Sequence, residues 1–216
     1  MAKWLTRSAA TRISVGSIPT PHFYIKMKKV YLVHGWDATA KSDFFPWLKK
    51  ELEKRKIESY FPDMPNTEEP KINEWISFLK KNFNDINKES ILIGHSIGSN
   101  ALLRFLENLP KEVKINRCIF VAPWIYLDEE TIKEEGEEVF EITKPWTETP
   151  INWKKIRSHC DNFICIFSGN DPYVPLSNKE IFKKELNAKI LILKNKYHFN
   201  EGKGIFKLPE ILQFLK

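Results

Sequence analysis

The chain has 216 residues, 42% hydrophobic and 29% charged, with a formal net charge of +6. That length suits one domain with a sizeable core, and no stretch approaches the roughly 20 apolar residues that a membrane-spanning helix needs. Six of the 34 Lys and Arg side chains (Lys3, Arg7, Arg12, Lys26, Lys28, Lys29) lie in the first 29 residues with no acid among them, so the other 28 balance the 28 acids, and no basic groove for nucleic acid is expected.

Residues 1–26, "MAKWLTRSAATRISVGSIPTPHFYIK", lack the continuous apolar core of a secretory signal. They read as a disordered extension or an over-long start. Their Ser/Thr/Arg-rich composition leaves an organellar transit peptide as the alternative. Residues 27–216 then form a single domain. Its three cysteines, Cys118, Cys160 and Cys165, show neither a disulfide framework nor a C-x-x-C zinc spacing. Cys118 and Cys165 lie in apolar runs, as inert core thiols do, and a reducing cytoplasmic compartment is the default expectation.

From Val30 short apolar runs alternate with helical periods. "KKVYLVHG" is a strand ending in a glycine turn. "DFFPWLKKELEKRK" spaces Phe44, Phe45, Trp47, Leu48 and Leu52 as one face of a helix, with Asp43 as its candidate cap. "IESYFPDMP" is a strand stopped by prolines. "KINEWISFLKKNFNDI" puts Ile72, Trp75, Ile76, Leu79 and Phe83 on one helical face. "SILIGHSIGSNALLRFL" is a strand, a turn and a helix. "INRCIFVAP", "NFICIFSG" and "AKILILK" are three further strands, and helices are expected in "PLSNKEIFKKEL" and "GIFKLPEILQFLK". Residues 123–158 interrupt the rhythm as an insertion after the fourth strand. The insertion carries the acidic run "DEETIKEEGEEVFE", read as the solvated face of a helix, and Trp124, Trp146 and Trp153. Apolar strands alternating with helices indicate an α/β fold with a mostly parallel sheet covered on both faces. Functional loops then gather at the carboxyl ends of the strands.

Gly94-His95-Ser96-Ile97-Gly98 matches the G-x-S-x-G pattern of a nucleophile held on a sharp strand-to-helix turn. A serine hydroxyl is a poor nucleophile without a base, so the pattern calls for an acid and a histidine further along. Asp171 follows the fifth strand in "FSGNDPYVP", and His198 follows the sixth in "LKNKYHFN". Parallel strands bring both to the edge that carries Ser96. An Asx-type turn before Pro172 is the competing role for Asp171. The backbone N–H groups of Ile97 and Trp36 are candidate oxyanion donors. His34 shapes the loop of Trp36, and His95 packs or hydrogen-bonds under the turn. His34, His95, Trp124 and Trp146 are candidate pocket residues, with core packing the equal alternative for the tryptophans of the insertion. The loop "HGWDATAKSDFF" and the insertion should shape the pocket. His159 and Asp161 precede the fifth strand, at the opposite end, and His22 lies in the extension. No residue pattern calls for a metal or a cofactor.

In this order "YLVHGW", "FFPWLKKELEK", "FPDMPNTEEPKINEWISFL", "GHSIGSNALLRFL", "FVAPW", "SGNDPYVP" and "YHFN" resemble the small serine hydrolases of the retinoblastoma-binding-protein-nine type. This is a compact branch of the α/β-hydrolase superfamily, and the resemblance runs from about Met27 to Lys216. It implies a sheet of about six strands, with Ser96 as nucleophile, Asp171 as acid and His198 as base. Tyr197 stands before the base where many of the group have Gly. No cysteine here fits the L-x-C-x-E pattern of the animal member's pocket-protein interaction, so that interaction is not expected. The expected function is hydrolysis of a small ester or amide through an acyl-enzyme, by a carboxylesterase-like enzyme or a small amidase or aminoacyl hydrolase. The expected partner is a small molecule, neither nucleic acid nor membrane. The alternative is a catalytically weak member of the fold that binds a partner or small molecule in the same cleft.

Overall fold

The structure is a computed structural model and describes residues 28–215, so the expectations for residues 1–26 lie outside it. The chain lays down β1 (Lys29–Val33), α1 (Phe45–Lys54), β2 (Glu58–Tyr60), α2 (Ile72–Asn82), β3 (Ser90–His95) and α3 (Ile97–Glu107). There follow β4 (Arg117–Val121), α4 (Glu129–Glu135), α5 (Glu137–Glu148), α6 (Trp153–His159), β5 (Phe163–Ser168), α7 (Asn178–Leu186) and β6 (Lys189–Leu193). The strands form one sheet in the order β2-β1-β3-β4-β5-β6. Every pairing is parallel.

Burial explains why the strands are apolar throughout. Every residue of β3 and β5 is buried, because parallel strands are covered on both faces. The edge strands β2 and β6 keep exposed positions. Right-handed crossovers place α1 on one face and α2, α3, α6 and α7 on the other, where neighbours in that order pack together. The helices bury the residues that their periodicity marks: Phe45, Leu48 and Leu52 in α1, and Trp75, Ile76 and Leu79 in α2. The three cysteines are free and buried, and burial pushes the Cys118 and Cys165 thiols up. Among the described residues no helix is long and apolar enough to cross a membrane.

Three expectations change. Asp43 does not cap α1, which starts after Phe44 with no side-chain cap. Asp43 sits at φ 56°, and its carboxylate takes the N–H of Glu201 instead. "GIFKLPEILQFLK" forms only a 3-10 stretch, Pro209–Phe214. Pro209 lacks an N–H and keeps Leu208 out of the helical region (φ −134°, ψ 71°). The acidic run forms two helices instead of one, and α6 follows them. Gly136, at φ 123°, splits the acidic run into α4 and α5. Most acids of that run are exposed, as a solvated face requires, while Ile132 turns inward.

The chain leaves β1 towards β2 on one side and leaves β3 towards β4 on the other. The carboxyl ends of β1 and β3 therefore bound a crevice where open α/β sheets form their sites. Ser96 follows β3 at that point, and Trp36 follows β1.

Candidate active site

Ser96 occupies the sharp turn between β3 and α3 at φ 52°, ψ −125°. A residue with a Cβ enters this region at a cost of about 1–3 kcal/mol. The surroundings hold it there: Ser96 N–H donates to Val121 O (2.8 Å), and Ser96 O accepts from Ser99 N–H (2.9 Å). The flanking glycines are required by close approach. A Cβ on Gly94 would lie 2.6 Å from Ser99 Cα, and one on Gly98 would lie 2.4 Å from the carbonyl oxygens of Val33 and His34. The turn lifts the side chain above the sheet, where it lines a cleft of about 570 Å³.

Three side chains distant in sequence meet there: Ser96 and His198 line the cleft, and the Asp171 side chain is buried behind His198. Ser96 Oγ lies 2.9 Å from His198 Nε2. His198 Nδ1 lies 2.9 Å from Asp171 Oδ2 and 3.1 Å from Oδ1. A carboxylate only accepts, so the ring proton is on Nδ1, and Nε2 accepts from the serine hydroxyl. Asp171 Oδ1 also accepts the N–H groups of Tyr173 (3.0 Å) and Val174 (3.1 Å). Asp171 therefore makes the Asx-type turn and faces the histidine at once. The arrangement places a hydroxyl, a proton acceptor and an orienting carboxylate in one line.

Among the described residues the backbone N–H groups of Ile97 and Trp36 have no acceptor. Ile97 opens α3, so its N–H stands at the positive end of the helix dipole. Trp36 is fixed by its indole N–H, which donates to Glu68 O (2.9 Å). Trp124 lines the cleft, and its indole N–H points at Ser96 Oγ from 3.4 Å. His95 also lines it.

Two expected pocket residues do not. Trp146 turns away to meet the Trp75 ring edge-on (6.0 Å) and donates to Pro70 O (2.9 Å), so it anchors α5 to the loop before α2. His34 is fully buried beneath the cleft. Its Nδ1–H donates to Gly35 O and its Nε2 accepts from Met64 N–H, both at 2.8 Å. Burial holds its imidazole below the ordinary 6.5. His159 is at the far end of the sheet, where its Nδ1 bonds Val113 O.

Sequence reasoning marked the loops but missed several side chains on them. Leu127, Ile132 and Val139 of the insertion form an apolar wall of the cleft. Tyr173 stands edge-on to His198 (5.3 Å), and its hydroxyl donates to Glu135 (2.8 Å). Asp43 lies beside His95, with Oδ2 3.5 Å from Nδ1. Burial raises the Asp43 carboxyl, but His95 and the Glu201 N–H outweigh burial and hold it below the ordinary 3.8. The cleft lining carries Asp37, Asp43, Glu135 and Glu201, and no Lys or Arg. Among the described residues no group of three or more His, Cys, Asp or Glu side chains is placed to hold a metal ion.

Comparison with known proteins adds an independent line. A family model described as "Serine hydrolase" matches residues 30–216. The putative hydrolase YdeN of Bacillus subtilis (strain 168) is 26% identical over 188 residues, covering 87% of this chain and 94% of its own. Serine hydrolase RBBP9 of Rattus norvegicus is 24% identical over 168 residues, covering 77% of this chain and 78% of its own. The crystal structure of the ydeN gene product from B. subtilis matches with a TM-score of 0.77 at 27% identity, over 88% of this chain and 97% of that one. With a six-stranded parallel sheet of the α/β-hydrolase type, this chain is a hydrolase and belongs to the serine hydrolase family.

Proposed function

We propose that this hydrolase cleaves a small neutral or cationic ester or amide through an acyl-enzyme formed on Ser96. The observation that carries the reading is the unbroken line from Ser96 Oγ in the cleft through His198 to the buried Asp171, with both links at 2.9 Å. His198 Nε2 takes the hydroxyl proton as Ser96 attacks the carbonyl carbon. Asp171 fixes the ring tautomer and stabilises the imidazolium. The oxyanion is received by the N–H groups of Ile97 and Trp36, and a single such donor is worth about 10²–10³ in turnover. The imidazolium then protonates the leaving alcohol or amine. Water, activated by the same nitrogen, releases the acid.

The lining supports the substrate class. Leu127, Ile132, Val139 and Trp124 suit an apolar or aromatic group. Asp37, Glu135 and Glu201, with no Lys or Arg beside them, disfavour a substrate that carries its own carboxylate.

The test is a fluorophosphonate probe followed by paired substrates with one acyl group, a p-nitrophenyl ester and the matching p-nitroanilide. Wild type labels on Ser96 and turns over at least one of the pair. Ser96→Ala does not label, and its hydrolysis falls by roughly 10⁴-fold or more. Labelling at another residue, or an active Ser96→Ala protein, would sink the reading.

A further inference from the structure

The candidate base stands on an irregular segment. Between β6 and the last 3-10 stretch, Asn195, Tyr197 and Phe199 all take left-handed angles (φ 55°, 47° and 58°). Each costs roughly 1–2 kcal/mol for a residue with a Cβ. Asp171 orients the His198 ring, but it does not fix the backbone that carries the ring. Something else must set the height of the imidazole against Ser96.

The backbone is tied from two sides. From the β5 side, Ser168 Oγ accepts Lys196 N–H (3.2 Å), and Asn170 Oδ1 accepts Tyr197 N–H (3.1 Å). From the Ser96 side come two residues that take no part in the proposed chemistry. His95 Nε2–H donates to the carbonyl of His198 itself (2.9 Å). Asp43 Oδ1 accepts the N–H of Glu201 (3.0 Å). The two are neighbours, with His95 Nδ1 3.5 Å from Asp43 Oδ2, but no hydrogen bond joins them, so each ties the loop through its own bond. Both are buried, and the His95 ring is wedged edge-on against Phe44 and Phe45, at 5.8 Å each.

We propose that Asp43 and His95 are a positioning pair that holds the His198 loop at the height from which its imidazole reaches Ser96. His95 directly precedes Ser96 in the chain. One imidazole therefore spans from the strand end that carries the serine to the backbone of the base, and it sets the distance between them. His95 offers the substrate no free donor, because its Nε2–H is engaged by the His198 carbonyl and its Nδ1 is buried. Asp43 itself sits at φ 56°, with its Oδ1 taking the Glu201 N–H. The proposal rests on the Ser96–His198–Asp171 reading. It explains why a buried His–Asp pair lies beside a second one.

The experiment compares two conservative variants with two disruptive ones. In His95→Leu, loss of the carbonyl bond lets the base drift. Displacements near 1 Å cost about 10²-fold, so kcat should fall roughly 10- to 100-fold with KM within about threefold. His95→Gln can offer its amide N–H to the same carbonyl and should recover most of kcat. Asp43→Asn keeps an acceptor for Glu201 N–H and should stay near wild type, while Asp43→Ala should follow His95→Leu. Thermal melts identify which variants fold, and fluorophosphonate labelling rates should fall in step with kcat. If His95→Leu does not fold, the Asp43→Ala and Asp43→Asn comparison decides. Folded disruptive variants with wild-type kcat, or conservative variants as slow as the disruptive ones, overturn the pair and leave the Ser96 reading standing. A wild-type protein inert to probe and esters overturns both.

Discussion

His34 carries a pH dependence that is independent of the chemistry above it. Both of its ring nitrogens are used, and only the neutral ring fits: a proton on Nε2 would meet the N–H of Met64 head-on. Burial lowers its affinity for a proton in the folded protein below the ordinary 6.5. The unfolded chain therefore takes up more protons as the pH falls through 6.5, and the equilibrium shifts towards unfolding. The stability that neutral His34 contributes is fully present above that pH and is lost on acidification below it. Asp43 works in a separate, lower window, since its folded carboxyl lies below 3.8. Urea unfolding at pH 7.5 and 5.5 should show wild type losing stability over the interval. His34→Gln, whose amide oxygen can accept the same N–H without titrating, should lose less. Equal losses in the two proteins would refute this role.

The helix that begins at Ser96 also anchors the far end of the insertion. Arg104 of α3 is buried, and its guanidinium donates to the carbonyls of Thr149 and Pro150. Glu107 accepts the N–H of Asn152, whose own side chain caps α6. The near end is held by Asn178, which accepts from Ile125 N–H (2.7 Å) and donates to Tyr126 O (3.0 Å). Between these clamps α4 and α5 form the wall over the cleft. Arg104→Met keeps an apolar stem but gives up charge-assisted bonds, so it should cost about 1–3 kcal/mol. The first cuts in limited proteolysis should move to residues 136–152, and an unchanged digestion pattern would exclude the clamp. None of this was readable in the sequence, because Arg104 looks like an ordinary charge on an amphipathic helix. The six strands were readable because burial on both faces of the sheet leaves unbroken apolar runs, and α1 and α2 because burial of one face leaves a helical period; α3, buried along nearly its whole length, was readable from the strand and glycine turn before it. The acidic run carries no period that reveals the break at Gly136. The C-terminal run has the right period, but Pro209 overrides it.

The meeting of Ser96, Asp171 and His198 could be anticipated because a parallel sheet brings successive strand ends to one edge whatever the loops do. That Trp146 takes the core side of its two readings, that His34 lies beneath the cleft, and that Asp43 meets Glu201 have the opposite origin: side-chain direction follows from tertiary partners that no local pattern encodes. The same reasoning bears on the division of the whole chain. The family match begins at residue 30. The first strand is fastened from within, as Lys29 pairs with Glu58 (2.9 Å) and Asp85 (2.7 Å), and Tyr31 donates its hydroxyl to Asp85 (2.5 Å). The cleft draws its lining from Gly35 to Gly202. A protein starting at Met27 should therefore melt within about 2 °C of the full chain and keep kcat/KM within about twofold. It loses Lys3, Arg7, Arg12 and Lys26 and no acid, which takes the formal charge from +6 to +2. Elution from a cation exchanger should accordingly move to lower salt. A truncated protein that is unfolded or inactive would show that the first 26 residues belong to the working domain.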